Sequence, residues 1–131
     1  MVRVVRASQL LADVPAEVRS AALPERFPFL ISDETEEVIE PALLYLTDTC
    51  MTSGQRFVLN TAVAIAEDLK DWWSYLEAFG RPWNAANTED LIHYRDAMGR
   101  TISPKTHEPY ANTTIKRRVG TVLGFYKWAE R

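Results

Sequence analysis

The last twenty residues, 112–131 (NTTIKRRVGTVLGFYKWAER), constrain the fold of this chain more than any other segment. At 100° per residue they predict one amphipathic helix. Leu123 and Phe125 fall at the margins of its apolar stripe, whose members are Ile115, Val119, Val122, Tyr126 and Ala129. Because such a stripe must be buried against other elements, the segment predicts a helix packed within a helical domain.

The opposite face of this predicted helix is polar and holds two glycines. It consists of Thr113, Arg117, Gly120, Thr121 and Gly124, with Lys116 and Lys127 on its flanks. A glycine inside a helix costs about 1 kcal/mol relative to alanine. That cost is tolerated where another molecule must approach the backbone, and cations with hydroxyls around small residues suit a phosphate-lined groove. The face therefore predicts double-stranded DNA as a partner.

Charge is distributed unevenly along the chain. The 131 residues carry a net charge of −3, which alone argues against nucleic-acid binding. Residues 105–131 hold six Lys/Arg and two Asp/Glu, a local charge of +4. Such a local field can bind phosphates, because salt screens charges beyond about 8–10 Å. The same cations also suit a solvated helix C-terminus, where the helix dipole favours positive charge, so both interpretations stay open on the residues alone.

Composition excludes several classes of protein. A single cysteine, Cys50, cannot form an internal disulfide framework, and with only His93 and His107 beside it no metal site is expected. No apolar run approaches the 18 residues or so that span a membrane, and the N-terminus does not read as a secretory signal, so a cytoplasmic protein is expected. Neither paired carboxylates nor a nucleophile–base couple nor a glycine-rich phosphate loop can be placed on a common face. We expect no catalytic residue and no cofactor.

The pattern of breaks and periodicities predicts an arm followed by one domain. Residues 1–35 are expected to form an irregular N-terminal arm, with extended stretches at 2–5 and 27–31 and a short helix from Pro15 to Ala22. This arm is either packed along the helical body or partly mobile. Residues 36–131 are expected to form an all-α four-helix domain. Its helices are predicted over 36–49, from Gln55 or Val58 to Phe79, over 87–99, and from Asn112 or Thr113 to the end.

Each predicted helix has an apolar side and recognisable ends. Gly80 and Pro82 end the second helix, Asn87 caps the third, and Asn112 or Thr113 caps the fourth. The water-facing side of the second helix is expected to carry Glu67, Lys70, Asp71 and Glu77. The residues expected to be buried in the first three helices are Leu43, Leu44, Leu46, Ala62, Ile65, Leu69, Trp72, Trp73, Leu76, Leu91, Tyr94 and Met98.

Three segments carry motifs in a characteristic order and spacing. They are Asn60-Thr61, Asp68-Leu69 and Trp72…Leu76…Gly80 within 60–80, Thr88-Glu89-Asp90-Leu91…Tyr94, and TIKRRV…FYKWA within 114–129. They resemble, in turn, the second, third and fourth helices of the core-binding domain of tyrosine recombinases, the family of the phage integrases. The resemblance covers roughly Glu36 to Arg131. Gly120 and Gly124 depart from it, because such domains often place Ser, Ala or Arg there.

The resemblance implies a SAM-like orthogonal four-helix bundle that clamps duplex DNA opposite a catalytic domain of the same parent chain. The tyrosine nucleophile of such enzymes belongs to that catalytic domain, so this chain is expected to be a non-catalytic fragment. Tyr94 and Tyr126 lie on apolar stripes and are expected to be core residues. The resemblance further implies a parent protein that is tetrameric on DNA and an isolated domain that is a monomer.

The predicted DNA contacts come from two helices and one loop. Arg117 and Thr121 are expected at the centre of the outer face of the last helix, whereas Arg118 projects sideways and could pair with an acid of a neighbouring helix. Asn60 either reads an adenine edge or caps the second helix, and Thr113 and Thr114 either bind phosphate or cap the fourth. The full predicted set is Gln55, Arg56, Asn60, Thr61, Lys105, Thr113, Thr114, Lys116, Arg117, Thr121 and Lys127.

A helical protein–protein interaction module is the alternative interpretation. In that case the face around Gly120 and Gly124 would receive a helix of another molecule. Such a module predicts self-association or partner capture that is insensitive to phosphate competitors, whereas a DNA-binding domain predicts binding that weakens with salt.

Overall fold

The computed structural model describes residues 1–6, 26–51 and 58–130. The elements in order are β1 (Val2–Arg6), β2 (Pro28–Ser32), α1 (Glu40–Cys50), α2 (Leu59–Ala78), a 3₁₀ turn (Trp83–Ala85), α3 (Thr88–Arg100) and α4 (Asn112–Ala129). The chain divides into two compact units, Met1–Lys70 and Asp71–Arg131. The four predicted helices are confirmed. A strictly all-α fold is wrong, because the described residues also include a small sheet.

The sheet consists of β1 and β2 in antiparallel pairing, with Val2 opposite Ser32 and Val4 opposite Leu30. These strands lie in the two stretches that were expected to be extended. In β2 the residues from Pro28 to Ile31 are all buried, without the alternation of a strand that has one face in water. The short helix predicted from Pro15 to Ala22 lies outside the described residues.

Helix α1 begins four residues later than predicted. Ile31 pairs with Val38 in an isolated bridge, Glu36 has a φ of 58°, and Ile39 donates its N–H to the Leu30 carbonyl at 2.9 Å. The segment 36–39 is therefore extended or turned rather than helical. Pro41 stands in the first turn of α1, where its missing N–H costs no hydrogen bond.

Burial in α1 follows Ala42 and Leu46, both fully buried, and α1 packs against β2. Leu43 is half-buried and Leu44 is 50% exposed, so the prediction that Leu44 is a core residue is wrong. The helix turns a narrower apolar side to the sheet than its leucines suggest.

Helix α2 buries the side predicted for it. Ala62, Leu69, Trp72, Trp73 and Leu76 are all buried, and Ile65 is half-buried. The helix ends in a Schellman motif, in which the Arg81 N–H donates to Leu76 O at 2.9 Å and the Gly80 N–H donates to Glu77 O at 3.0 Å. Gly80 has a φ of 63°, which explains why glycine stands there.

Helix α3 begins with a capping box. The Asp90 N–H donates to Asn87 Oδ1 and the Asn87 N–H donates to Asp90 Oδ2, both at 2.9 Å. This confirms the predicted cap. The helix buries Tyr94 and Met98, while Leu91 is half-buried.

The connection between α3 and α4 is an ordered turn. Ile102 pairs with Pro109 in an isolated bridge, and Ser103 donates its N–H to Glu108 O at 2.7 Å. Ser103 is buried, and His107 adopts a φ of 59° at the turn. These bonds join the two ends of the polar stretch to each other.

Aromatic side chains form the core of the unit Asp71–Arg131. Trp73 meets Phe125 edge-on with ring centroids 5.1 Å apart, and Trp72 meets Tyr94 in the same way at 5.1 Å. Trp72 Nε1 donates to Tyr126 Oη at 3.2 Å, so its polar atom is satisfied inside the core. Trp72 and Trp73 are core residues, as predicted.

Candidate nucleic-acid interface

Helix α4 turns a cationic side away from its own unit. Ile115, Val122 and Phe125 are buried, whereas Val119 and Tyr126 are half-buried, so the buried stripe is rotated toward Phe125. The exposed side carries Lys116, Arg117, Gly120 and Lys127, which lie within an arc of about 100°. We name these four residues the basic face of α4. Leu123, 51% exposed, lies at its edge rather than in the apolar stripe.

Gly120 lies in the middle of the basic face with open space in front of it. A Cβ atom built at this position meets no heavy atom within 4 Å, apart from chain neighbours and the helix's own backbone. The packing of the unit therefore does not require glycine here, and its cost of about 1 kcal/mol in helix propensity is not offset by an internal contact. The open space leaves the helix backbone accessible to another molecule.

Thr121 lies at the border of the basic face rather than at its centre. It is half-buried, and its hydroxyl donates to the Arg117 carbonyl at 3.1 Å. The hydroxyl proton is thus used within the helix, and the oxygen retains acceptor capacity only. Gly124 is also half-buried. Arg117 is exposed and belongs fully to the face.

The start of α4 has no side-chain cap. The N-cap is Ala111 and no side chain accepts from the first turn, so the prediction that Asn112 or Thr113 caps this helix is wrong. The backbone N–H groups of the first turn of a helix have no intrahelical acceptor. Thr113 is exposed beside them and Thr114 is half-buried. Thr113 and Thr114 therefore lie at the positive end of the α4 helix dipole.

Lys105 is exposed within the ordered turn that precedes α4. Its N–H donates to Ser103 Oγ at 3.3 Å, and Ser103 is itself buried. The turn thus fixes the backbone from which the Lys105 ammonium extends into solvent.

The predicted contacts of the second helix belong to the other compact unit, Met1–Lys70. Asn60 and Thr61 are exposed in the first turn of α2. Asn60 is the second residue of the helix, so the alternative in which it caps α2 is wrong. Gln55 and Arg56 lie outside the described residues.

Arg118 is held inward by an acid of another helix, the pairing that its sideways position suggested. Its Nη1 lies 3.1 Å from Asp71 Oδ2, and its guanidinium lies 4.7 Å from the Tyr110 ring centroid. Tyr94 donates its hydroxyl to the same Asp71 oxygen at 2.6 Å. Burial lowers the pKa of Arg118, but Asp71 and the hydrogen bond with Tyr110 raise it further, so the net pKa lies above the ordinary value.

The prediction that Asp71 faces water is therefore wrong. Asp71 is half-buried and links α2, α3 and α4 through Tyr94 and Arg118. The helical periodicity of α2 alone carried no signal for this role, because the partners of Asp71 lie more than twenty residues away. Tyr110, at the end of the turn, is joined to this cluster through Arg118.

The two tyrosines on the apolar stripes differ in burial. Tyr94 is buried, as predicted, whereas Tyr126 is half-buried. Tyr126 donates its hydroxyl to the Trp83 carbonyl at 2.6 Å. Burial raises the pKa of Tyr126, and the hydrogen bond from Trp72 opposes this only in part. The Tyr126 hydroxyl thus ties α4 to the 3₁₀ turn that contains Trp83.

Over residues 1–6, 26–51 and 58–130, no group of three or more His, Cys, Asp or Glu could hold a metal ion. In the same ranges no helix is both long and apolar enough to cross a bilayer. Burial raises the pKa of the Cys50 thiol, which reduces its thiolate fraction at neutral pH.

The helices and the basic face together define a helical domain with a polar, cationic outer surface on its last helix. A family model, that of the phage integrase N-terminal SAM-like domain, matches residues 54–131, more than half of the chain. Neither a curated protein nor a solved structure gives a significant match. The chain therefore belongs to the phage integrase N-terminal SAM-like domain family, and the resemblance to the core-binding domain of tyrosine recombinases is confirmed.

Proposed function

We propose that this domain binds duplex DNA through the basic face of α4, as the core-binding part of a tyrosine recombinase. The unit Asp71–Arg131 holds nine Lys/Arg and seven Asp/Glu, a positive balance within a chain of net charge −3. Lys116, Arg117 and Lys127 stand on one exposed arc of a single rigid helix, which sets their spacing. Such cations position a protein on phosphates without reading sequence.

The observation that carries the proposal is the open space at Gly120, in the middle of these cations. A groove wall can approach the α4 backbone there without meeting a side chain. Thr113 and Thr114 at the start of the helix and Lys105 in the preceding turn extend the surface toward further phosphates. Asn60 and Thr61 on α2 are proposed as the contacts of the other unit, together with Gln55 and Arg56.

Strand exchange is proposed to belong to a catalytic domain of the parent chain that closes on the opposite side of the duplex. This domain by itself is proposed to bind without catalysis and as a monomer, in the cytoplasm, while the parent acts as a tetramer on DNA. With half of the clamp, the expected affinity is in the non-specific range, about 10⁻⁴–10⁻⁶ M.

The test is a fluorescence-anisotropy titration of labelled duplex DNA over a series of salt concentrations. If Lys105, Lys116, Arg117 and Lys127 each meet a phosphate, log K against log salt has a slope of about −3 to −4. Arg117→Gln is expected to make the slope shallower by about 0.9. Arg81→Gln is the matched control, because Arg81 is an exposed arginine paired with Asp90 outside the basic face.

Absence of binding by the native chain at low salt would contradict the proposal. The protein-interaction alternative has one observation in its favour, the exposed Leu123 beside Gly120. It predicts self-association in sedimentation that is unchanged by phosphate competitors and abolished by Leu123→Asp.

A further inference from the structure

We infer that the cleft between the end of α3 and the start of α4 binds a backbone phosphate of the DNA, which adds Arg95 and Arg100 to the interface. This inference rests on the proposed function. The α3 side of the cleft is formed by Arg95, Asp96, Gly99 and Arg100. Asn112 and Lys116 contribute from α4, and the cleft has a volume of about 460 Å³.

The charge of the cleft favours an anion. Three cations and one carboxylate line it, whereas the neighbouring groove beside Phe79 combines Arg81 and Arg100 with two carboxylates, Asp90 and Asp96. The positive excess is therefore specific to the cleft between α3 and α4. Arg95 and Arg100 are both exposed. Arg95 Nη2 lies 3.3 Å from Asp96 Oδ1, but an ion pair on the surface is weak, so both guanidinium groups can reach a phosphate.

The electrostatics of the two helix ends beside the cleft also favour an anion. Asn112, the first residue of α4, lines the cleft, so the positive end of the α4 helix dipole lies beside it. The negative end of α3 is partly satisfied by Thr101, whose hydroxyl donates to Ala97 O at 2.7 Å and whose N–H donates to Met98 O at 3.3 Å. Those two carbonyls then repel an approaching phosphate less.

The cleft is continuous with the basic face of α4. Lys116 belongs to both surfaces, and it lies one helical turn from Gly120. A duplex seated on the basic face thus extends its backbone toward α3 at Lys116. Gly99, in the cleft wall, has open space where a Cβ would stand, so the approach is not blocked by packing.

The experiment measures binding of labelled duplex DNA by the whole chain as a function of salt. The double variant Arg95→Gln/Arg100→Gln is expected to make the slope shallower by about 0.9, which is one phosphate contact. Over a four-fold change in salt this corresponds to a difference of about 3.5-fold in affinity. Arg81→Gln removes one exposed arginine outside the cleft and is expected to leave the slope unchanged.

Asp96→Asn is expected to change the DNA affinity in the opposite direction. A variant that loses its fold cannot show this tighter binding. Removing one unit charge about 8 Å from a phosphate in water is expected to tighten binding about two-fold. The inference is overturned if the native chain binds DNA, the double variant has the same salt slope as the native chain, and Asp96→Asn has the same affinity as the native chain. If the native chain does not bind at all, the proposed function fails first, so the two failures are distinguishable.

Discussion

Substitutions at Gly120 are expected to separate stability from DNA binding. Gly120→Ala places a methyl group in open space within a helix, which removes the glycine cost without a clash. The gain in free energy of unfolding is expected to be about 0.5–1 kcal/mol, and the melting temperature is expected to rise by about 2–6 °C. Thermal unfolding followed by circular dichroism measures this gain.

Gly120→Glu and Gly120→Gln form the matched pair for binding, since they differ in charge and hardly in volume. Both side chains project from the basic face between Lys116 and Lys127, and neither enters the core. A carboxylate about 5 Å from a phosphate costs about 0.8 kcal/mol in water and more where water is excluded, so Glu is expected to bind at least about four-fold more weakly than Gln. Anisotropy titration at one low salt concentration measures the ratio.

Two outcomes would contradict a phosphate contact at Gly120. If Gly120→Glu and Gly120→Gln bind duplex DNA with equal affinity while both are as stable as Gly120→Ala, no phosphate lies near this position. A loss of stability in Gly120→Ala would instead show that packing, and not an external partner, requires the glycine.

Three further predictions concern the scaffold. Arg118→Gln is expected to lower the free energy of unfolding by about 1–2 kcal/mol in urea unfolding, because Asp71 loses a largely buried partner. The same variant is expected to leave the salt slope of DNA binding unchanged. A slope as shallow as that of Arg117→Gln would instead make Arg118 a DNA contact. Asn87→Ala removes the capping box of α3 and is expected to cost about 1 kcal/mol, so an unchanged urea midpoint would contradict the cap. Burial raises the pKa values of Tyr126 and Tyr75 above the ordinary value of 10 in the folded state. The two neutral phenols therefore contribute their full stabilisation below pH 10, and this stabilisation is lost as the pH rises through the folded-state pKa values. The urea midpoint of the native chain should fall between pH 9 and pH 11, and it should fall less in Tyr126→Phe.

The helices were predictable because their signals are local. Gly80 and the Asn87–Asp90 pair fix helix ends within a few residues, and the structure contains both motifs as expected. The family motifs were equally local, and all three lie within residues 54–131, which the family model matches, whereas the first helix of the resemblance lies outside that match. The start of α1 was misplaced because the bridge between Ile31 and Val38 overrides the helical pattern of residues 36–39.

Contacts between distant residues were not predictable in this way. The pairing of β1 with β2 joins strands more than twenty residues apart. The sequence of an extended stretch does not identify the strand with which it pairs. Phe125 became a core residue because Trp73 and Trp83 surround it, which rotated the buried stripe of α4 and moved Thr121 to the border of the outer face. Arg95 and Arg100 line a cleft only because α4 lies beside α3, so their sequence positions alone did not predict it.

Binding of DNA through the basic face of α4 can be tested residue by residue with NMR. Amide chemical shifts of the isotopically labelled chain would be followed while unlabelled duplex DNA is added at low salt. We expect the largest shift changes at Lys116, Arg117, Gly120 and Lys127, with small changes at Val122 and Phe125. Saturable binding whose shift changes leave α4 untouched would contradict it.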